Sequence, residues 1–311
     1  MARKIRVQYE GAVYHVMSRG DHREVILRGD RDRELFVDAL GQCCRRTGWQ
    51  VHALCLMPNH FHLVVETPQA NLVEGMKWLL GVYTSRFNRR HKLFGHLFSG
   101  RYKSLIVDGS GTGYLRTVCD YVHLNPARAG LLRAEQGLRE YRWSSWPEYL
   151  KGPRQRWSWL RVDRLLGEYR VPKDSAAGRK YLERCVEERR AAEAPREYQA
   201  LRRGWCLGDR QFRKELLAEM AGGVGAEHYG EERRESRDER AERIVLEELR
   251  TAGWSEGRLA SSAKGHRVKV RVALRLRAET TVTYEWIARR LGMGSRSNAS
   301  NLVYAQGNCR K

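Results

Sequence analysis

Two histidines one residue apart, His60 and His62, sit inside the apolar run MPNHFHLVV at 57–65. Tyr121 and Asn125 stand four residues apart in YVHLN. These residue types can do chemistry together. Imidazole nitrogens ligate divalent metals, an amide oxygen can complete a half-open set of ligands, and a phenol is a covalent nucleophile. On a β-strand, side chains alternate faces, so His60, His62 and Val64 point one way and Phe61, Leu63 and Val65 the other. The second set reads as core; the first presents two imidazoles side by side. Taken alone, the H-x-H pattern also fits two satisfied histidines on a sheet face. Residues i and i+4 share a helix face, which puts Tyr121 beside Asn125 at a helix end. Tyr114, seven residues earlier, is the rival nucleophile. A divalent ion on two imidazoles and an amide would polarise and orient a phosphodiester. A phenol ionises near pH ~10 and needs neighbouring positive charge to act as a nucleophile. Attack on phosphorus would leave a phosphotyrosine and conserve the bond for rejoining. No nucleotide cofactor is required, and the chain has no G-x-x-x-x-G-K-[ST].

The elements that must position these residues can be read from pattern. AVYHVMS at 12–18 has strand character and ends in a turn at Arg19-Gly20-Asp21. A helix follows, with Asp30 as N-cap, a stripe of Leu35, Phe36, Ala39, Leu40 and Cys43, and Gly48 as its stop. WQVHALCLM and HFHLVVE flank the turn signal Pro58-Asn59, so the histidines open the second arm of a hairpin. Residues 71–91 carry a helical apolar stripe with a basic end, 98–108 read as a strand, and 111–126 as a helix stopped by Pro126. The order β-α-β-β-α-β-α predicts an α+β domain with a largely antiparallel sheet, closed by RWSSWPEYL at 142–150.

Composition narrows the partners. The 311 residues carry 58 Lys+Arg against 37 Asp+Glu, a net charge of +21. Such a balance favours polyanions, nucleic acid before an anionic membrane. There is no bilayer-spanning apolar run and no apolar leader, so the default reading is a cytoplasmic protein without membrane partners. Seven cysteines, with no C-x-x-C, read as reduced core thiols.

Beyond residue 150 the texture changes. Residues 151–235 read as a charged, mostly helical linker region with a glycine hinge at Gly222, Gly223 and Gly225; the alternating charges of EERRESRDERAER read as a solvated helix face. Residues 236–311 read as a basic helical region. Within it, Trp286, Ile287 and Leu291 form one stripe, Gly292-Met293-Gly294 a tight turn, and Ser295 an N-cap for a second helix bearing Arg296 and Asn298 outward. That is the layout of a helix-turn-helix with Arg296 and Asn298 as DNA contacts, with an ordinary αα-hairpin as the alternative. In the first domain, Arg101 and Lys103, and with them Arg19 and Arg128, are candidate phosphate contacts, set against plain surface charge. Tyr14, Tyr102, Trp143 and Trp146 are core aromatics or base-stacking residues. His15 and His123 read as structural.

Several ordered motifs together resemble one family. They are YHVMSRG at 14–20, MPNHFH at 57–62, FSGRYKS at 98–104, YVHLNPARAGL at 121–131 and YRWSS at 141–145. The chain in this region resembles the REP-associated tyrosine transposases, which belong to the insertion-sequence-200-like transposases of the HUH endonuclease superfamily. The resemblance covers residues 1 to about 150. It implies a two-layer HUH, ferredoxin-like fold, with His60 and His62 as the metal pair, Tyr121 as nucleophile, and Asn125 where relatives often place a glutamine ligand. It implies Mg²⁺ or Mn²⁺, although softness alone would point imidazoles toward zinc. It further implies cleavage of single-stranded DNA at or near hairpins, with a 5′-phosphotyrosine and a free 3′-OH. Compact relatives stop near the end of the first domain, so the added residues leave target choice, and monomer against homodimer, open. The rival readings are a non-catalytic DNA-binding regulator that keeps the fold, and a replication-initiator nuclease of the same superfamily. That nuclease usually carries a helicase domain, absent here.

Overall fold

The computed structural model describes residues 7–193, Tyr198, Leu201, 204–222 and 231–308. Packing divides the backbone into two compact units that part between Gly222 and Gly223. Gly223, Gly225 and Cys309 lie outside the described residues, as do the side chains that open the alternating-charge run at 231.

The first unit is built on a five-stranded sheet in the order β2-β3-β1-β4-β5. Its strands are β1 (Ala12–Arg19), β2 (Gln50–Met57), β3 (His60–Thr67), β4 (Lys103–Val107) and β5 (Cys206–Leu207). β1 lies between β3 and β4 and is antiparallel to both, β2 and β3 form the expected hairpin, and β5 adds a short parallel edge. The element order through the first 123 residues is the one read from pattern. Strand β4 is shorter than the apolar run suggested. It begins at Lys103 because residues 98–102 are held in a loop, where Ser99 donates to the Arg19 carbonyl.

Register assigns the two faces. Val16 pairs with Leu63 and Ser18 with Phe61, so these share a face. Helices α1 (Asp30–Thr47) and α2 (Leu72–His91) cover it. Phe36 of α1 lies 4.8 Å from Phe61 and 5.0 Å from Tyr83 of α2. The Tyr83 hydroxyl donates to the Ile26 carbonyl at 2.6 Å, which satisfies the one polar atom this ring buries. Gly29, not Asp30, occupies the N-cap of α1; Asp30 opens the first turn, where its charge complements the helix dipole. Gly48 stops α1 as expected, in the left-handed conformation at φ 73°.

The opposite face carries the histidines, and α3 (Tyr114–His123) packs there against β2, β3 and β4. Helices therefore flank both sides of the sheet. Pro126 does not end the helical path. A short helix α4 (Asn125–Arg128) starts just after α3, with Pro126 in its first turn, where a missing N–H costs nothing. Leu124 donates back to Asp120 and Arg128 back to Leu124, so the two pieces run on as one bent rod.

Residues 151–222, read in sequence as part of a linker region, pack with the first unit. They follow α5 (Trp146–Leu150) and contribute α6 (Asp163–Glu168), α7 (Ala176–Ala191), β5 and α8 (Arg210–Gly222). The buried carboxylate of Asp120 ties them to α3: it accepts from the Tyr169 hydroxyl at 2.6 Å and pairs with Arg189 at 2.8 Å. A buried charge persists only when paired in this way.

The second unit is helical, with α9 (Glu231–Ala252), α10 (Glu256–Ser261), α11 (Arg267–Glu279), α12 (Tyr284–Arg290) and α13 (Arg296–Asn308). Its own core gathers Ile244, Val245, Val272, Leu276, Ile287, Leu291 and Val303. Gly292 and Gly294 both take positive φ in the turn between α12 and α13, as a tight turn there requires. The Nζ of buried Lys269 donates to the carbonyls of Ser262 and Gly292 at 3.0 and 3.2 Å, which pins that turn to the core. Among the described residues no helix is long and apolar enough to cross a membrane. None of the six described cysteines is in a disulfide, and five of them are buried.

Phe61 anchors the strand that carries both histidines. Phe61→Ala should lower unfolding free energy by about 3–5 kcal/mol in urea titration; a loss below ~1 kcal/mol would mean the strand is held by other contacts.

Candidate active site

The site grows from the register of β1 on β3. Met17 pairs with His62 and Arg19 with His60, while His15 pairs with Val64, so His15, Arg19, His60 and His62 share one face. The rings of His15 and His62 stack with centroids 5.2 Å apart and planes 15° from parallel. Nε2 of His15 lies 2.9 Å from Nδ1 of His62. His60 sits 5.0 Å from His62, ring to ring and nearly perpendicular. Its Nδ1 is 2.7 Å from Oδ1 of Asn59, the turn residue just before it.

Helix α3 brings Tyr121 onto this face. Its ring meets His15 at 5.5 Å and His62 at 5.6 Å, edge-on in both cases. It is only 8% exposed. The guanidinium of Arg128 lies 4.1 Å from the ring centroid and donates to the Tyr121 carbonyl. The same guanidinium pairs with Glu193 at 3.0 Å and stands 5.0 Å from the ring of Tyr198, which itself meets Tyr121 at 5.3 Å. Tyr121 is thus held between imidazole edges, a cation and a second phenol. Asn125, buried, follows it one helical turn on as the first residue of α4.

Burial sets the charge state of the imidazoles. It pulls His15 down to about 4, helped by the positive charge of Arg128. Burial, then Arg19, takes His60 to about 4 as well. His62 lies well below the ordinary value through burial first, then its neighbours His15, His60, Arg128 and Arg19. All three rings are neutral near pH 7, the form that ligates metal.

The donor set bears on whether a divalent ion fits. Among the described residues no group of three or more His, Cys, Asp and Glu side chains gathers to hold a metal. A site here would rest on two imidazoles plus an amide. Asn59 Oδ1 can only accept, so His60 carries its proton on Nδ1 and presents a lone pair at Nε2. His62 has its Nδ1 engaged by His15, and in the tautomer where that Nδ1 donates, Nε2 is left for a ligand. An outer partner on the far nitrogen is the usual support of a metal-bound imidazole. The residues present fit a divalent ion at His60 and His62, and Asn125, the amide expected to join them, is buried at the start of α4.

The remaining expectations divide. His60, His62 and Tyr121 come together. Arg19 ends β1 opposite His60, half-buried, with no hydrogen-bond partner for its buried Nε. Arg128 is turned inward onto Tyr121 and Glu193, not outward as a surface phosphate contact would be. Arg101 is exposed in the loop before β4, and Lys103 is exposed at its first residue. Tyr114 opens α3, seven residues before Tyr121. Tyr14, Tyr102 and Trp146 are buried, so they are core; Trp143 is half-buried under Arg142 and Arg33. His123 is structural, bonding Ser145 Oγ at 2.8 Å. His15, read from sequence as structural, packs directly against His62. Its position at the same strand parity as Arg19 was visible, but only the pairing of β1 with β3 places it against His62. In the second unit, Arg296 is exposed at the start of α13, whereas the Asn298 amide donates to the Met293 carbonyl at 2.7 Å and fastens the turn.

The depressed imidazoles predict a pH dependence. Between the ordinary value of 6.5 and about 4, the unfolded chain takes up protons that the folded chain refuses. Their contribution is complete above pH 6.5 and is lost as pH falls. Urea midpoints should therefore drop steadily from pH 6.5 toward 4, and the double variant His15→Gln, His60→Gln should flatten that slope; an unchanged slope would contradict the assignment.

Comparison with known proteins adds to this geometry. Residues 8–125 match the family model described as Transposase IS200 like, a stretch that contains His15, His60, His62, Tyr121 and Asn125. No curated protein matches the chain. Among solved structures, one of a REP-associated tyrosine transposase bound to a REP hairpin is similar at 15% identity, covering 47% of this chain and 82% of that one, with a TM-score of 0.39. Another, of a candidate transposase from Deinococcus radiodurans, is similar at 23% identity, covering 39% of this chain and 95% of that one, with a TM-score of 0.29. Over residues 8–125, somewhat more than a third of its length, the chain is similar to the IS200-like transposases.

Proposed function

We propose that this protein is a metal-dependent tyrosine transposase that nicks and rejoins single-stranded DNA at hairpins. The observation that carries the reading is the meeting of Tyr121 with the two-histidine face of β3, inside the stretch that matches the transposase family. In this reading the Tyr121 phenolic oxygen attacks a phosphodiester phosphorus. The bond to the 3′-oxygen breaks, the phenol gives up its proton and the departing oxygen gains one. The products are a 5′-phosphotyrosine and a free 3′-OH, and the reverse attack by a 3′-OH rejoins DNA.

His60 and His62, with Asn125, would hold Mg²⁺ or Mn²⁺. When bound, such an ion supplies polarisation of the phosphodiester and orientation of its oxygens. His15 holds the ring of His62 in place, and Asn59 fixes the tautomer of His60. Arg128 holds the Tyr121 ring and backbone in one position. The hairpin substrate rests on the motif resemblance, and the net charge of +21 suits any nucleic acid. The organisation we favour is a catalytic domain at 1–150 with residues 151–222 packed on it as an accessory layer, and a second unit beyond Gly222 that ends in a DNA-reading helix-turn-helix with Arg296 on its second helix. One observation favours the regulator instead: Tyr121 is covered by Tyr198 and by the Arg128–Glu193 pair.

Covalent trapping separates the two. Labelled hairpin DNA with a single-stranded flank, protein and Mn²⁺ should give a shifted band on a denaturing gel. Tyr121→Phe should abolish the band while retaining DNA affinity; a band of wild-type strength in that variant would exclude this nucleophile. EDTA, or His60→Ala with His62→Ala, should cut adduct formation by at least about 100-fold. Adducts indifferent to EDTA would remove the metal. Arg296→Ala should weaken duplex binding by roughly tenfold and leave cleavage of a short single strand unchanged.

A further inference from the structure

Phe94 is the most exposed large hydrophobic residue among those described, at 97%. Single exposed apolar residues are common, but this one is presented by a braced loop. Lys92 ends α2 in a left-handed conformation at φ 54°, and Gly95 takes φ 83° just beyond Phe94. Asn88 Nδ2 donates to the Gly95 carbonyl at 3.0 Å, and Leu93 N–H to the Asn88 carbonyl at 2.9 Å. On the other side, Leu97 accepts from Asp21 N–H and Phe98 packs onto Phe61 and Tyr83. The loop is fixed at both feet, with its aromatic tip in solvent.

The foot of the loop packs on the α1–α2 face and borders the turn that precedes His60. Phe98 bridges Gly20, whose N–H donates to the carbonyl of Asn59, the residue before His60. With strands about 5 Å apart, the foot of the loop lies about 10 Å from the first residue of β3. Phe94 is four residues farther, a reach of at most about 14 Å. That span is a few nucleotides of a single strand. The surroundings are basic: residues 75–107 contain seven Lys or Arg and no Asp or Glu. Arg101 and Lys103, both exposed, follow the tip in sequence.

We propose that Phe94 is a stacking platform for an unpaired base of the DNA strand that enters the histidine face, with the neighbouring cations on its phosphates. This rests on the single-strand nuclease reading and extends it to a residue that contacts DNA away from the reacting phosphate. An exposed aromatic flanked by cations is the usual means of gripping a strand without reading its sequence, because every base has a π-face.

The test measures anisotropy of a labelled oligothymidine strand with full-length protein. Phe94→Ala should bind it about tenfold more weakly, Phe94→Trp should restore affinity, and blunt duplex binding and the melting temperature should not change. If the wild type binds the strand and Phe94→Ala binds it equally well, the stacking role is overturned while the nuclease reading stands. A wild type that binds no single strand overturns both. Unchanged strand affinity with an altered mass in light scattering would make the tip a self-association contact and likewise overturn stacking.

Discussion

The antiparallel register of β1 against β3 is the constraint on which the site depends. Pairing Met17 with His62 puts His15 diagonally against His62 and sets Arg19 opposite His60. A slip of one residue would turn the histidines into the α1–α2 layer and Phe61 out of it. The slip is opposed from both sides. Phe61, Leu63 and Val65 are fully buried on one face, and the His15–His62 bond is satisfied only in this register. Apolar burial and a polar contact therefore select the same alignment.

That alignment brings three imidazoles together, which is tolerable only if they stay neutral. Charging any of them would place a cation in a buried pocket already bordered by Arg19 and Arg128. The same neutrality leaves ring nitrogens available for ligands. The stability of this corner and its open ring nitrogens thus share one physical cause. Arg128 adds a further coupling: by holding both the ring and the carbonyl of Tyr121, it fixes the end of α3 where α4 begins.

The second unit applies a related device. Lys269, a basic residue wholly inside an apolar core, is kept by two carbonyls, one of them in the turn before α13. Burial lowers its proton affinity, and only the carbonyl partners make its position tenable. The turn itself is locked by Asn298, so the amide that looked free to contact DNA is spent on local geometry.

What the sequence alone determined is what local physics controls. Alternation separated Phe61 from His60 and His62, the helical period put Tyr121 beside Asn125, and Gly48 and Pro58-Asn59 marked a helix end and a hairpin. The order of elements and the α+β class followed, since period and turn chemistry are short-range properties. What only the tertiary structure decided involves partners far apart in the chain. His15 became part of the site because β1 inserts between β3 and β4, a pairing across some 45 residues that no local pattern encodes. Arg128 turned inward because Tyr121 and Glu193 meet it there, and residues 151–222 joined the first unit because Asp120 required Tyr169 and Arg189. A side chain's type is written in sequence; whether its charge faces water, a phosphate or a buried partner depends on contacts that exist only once the chain has folded.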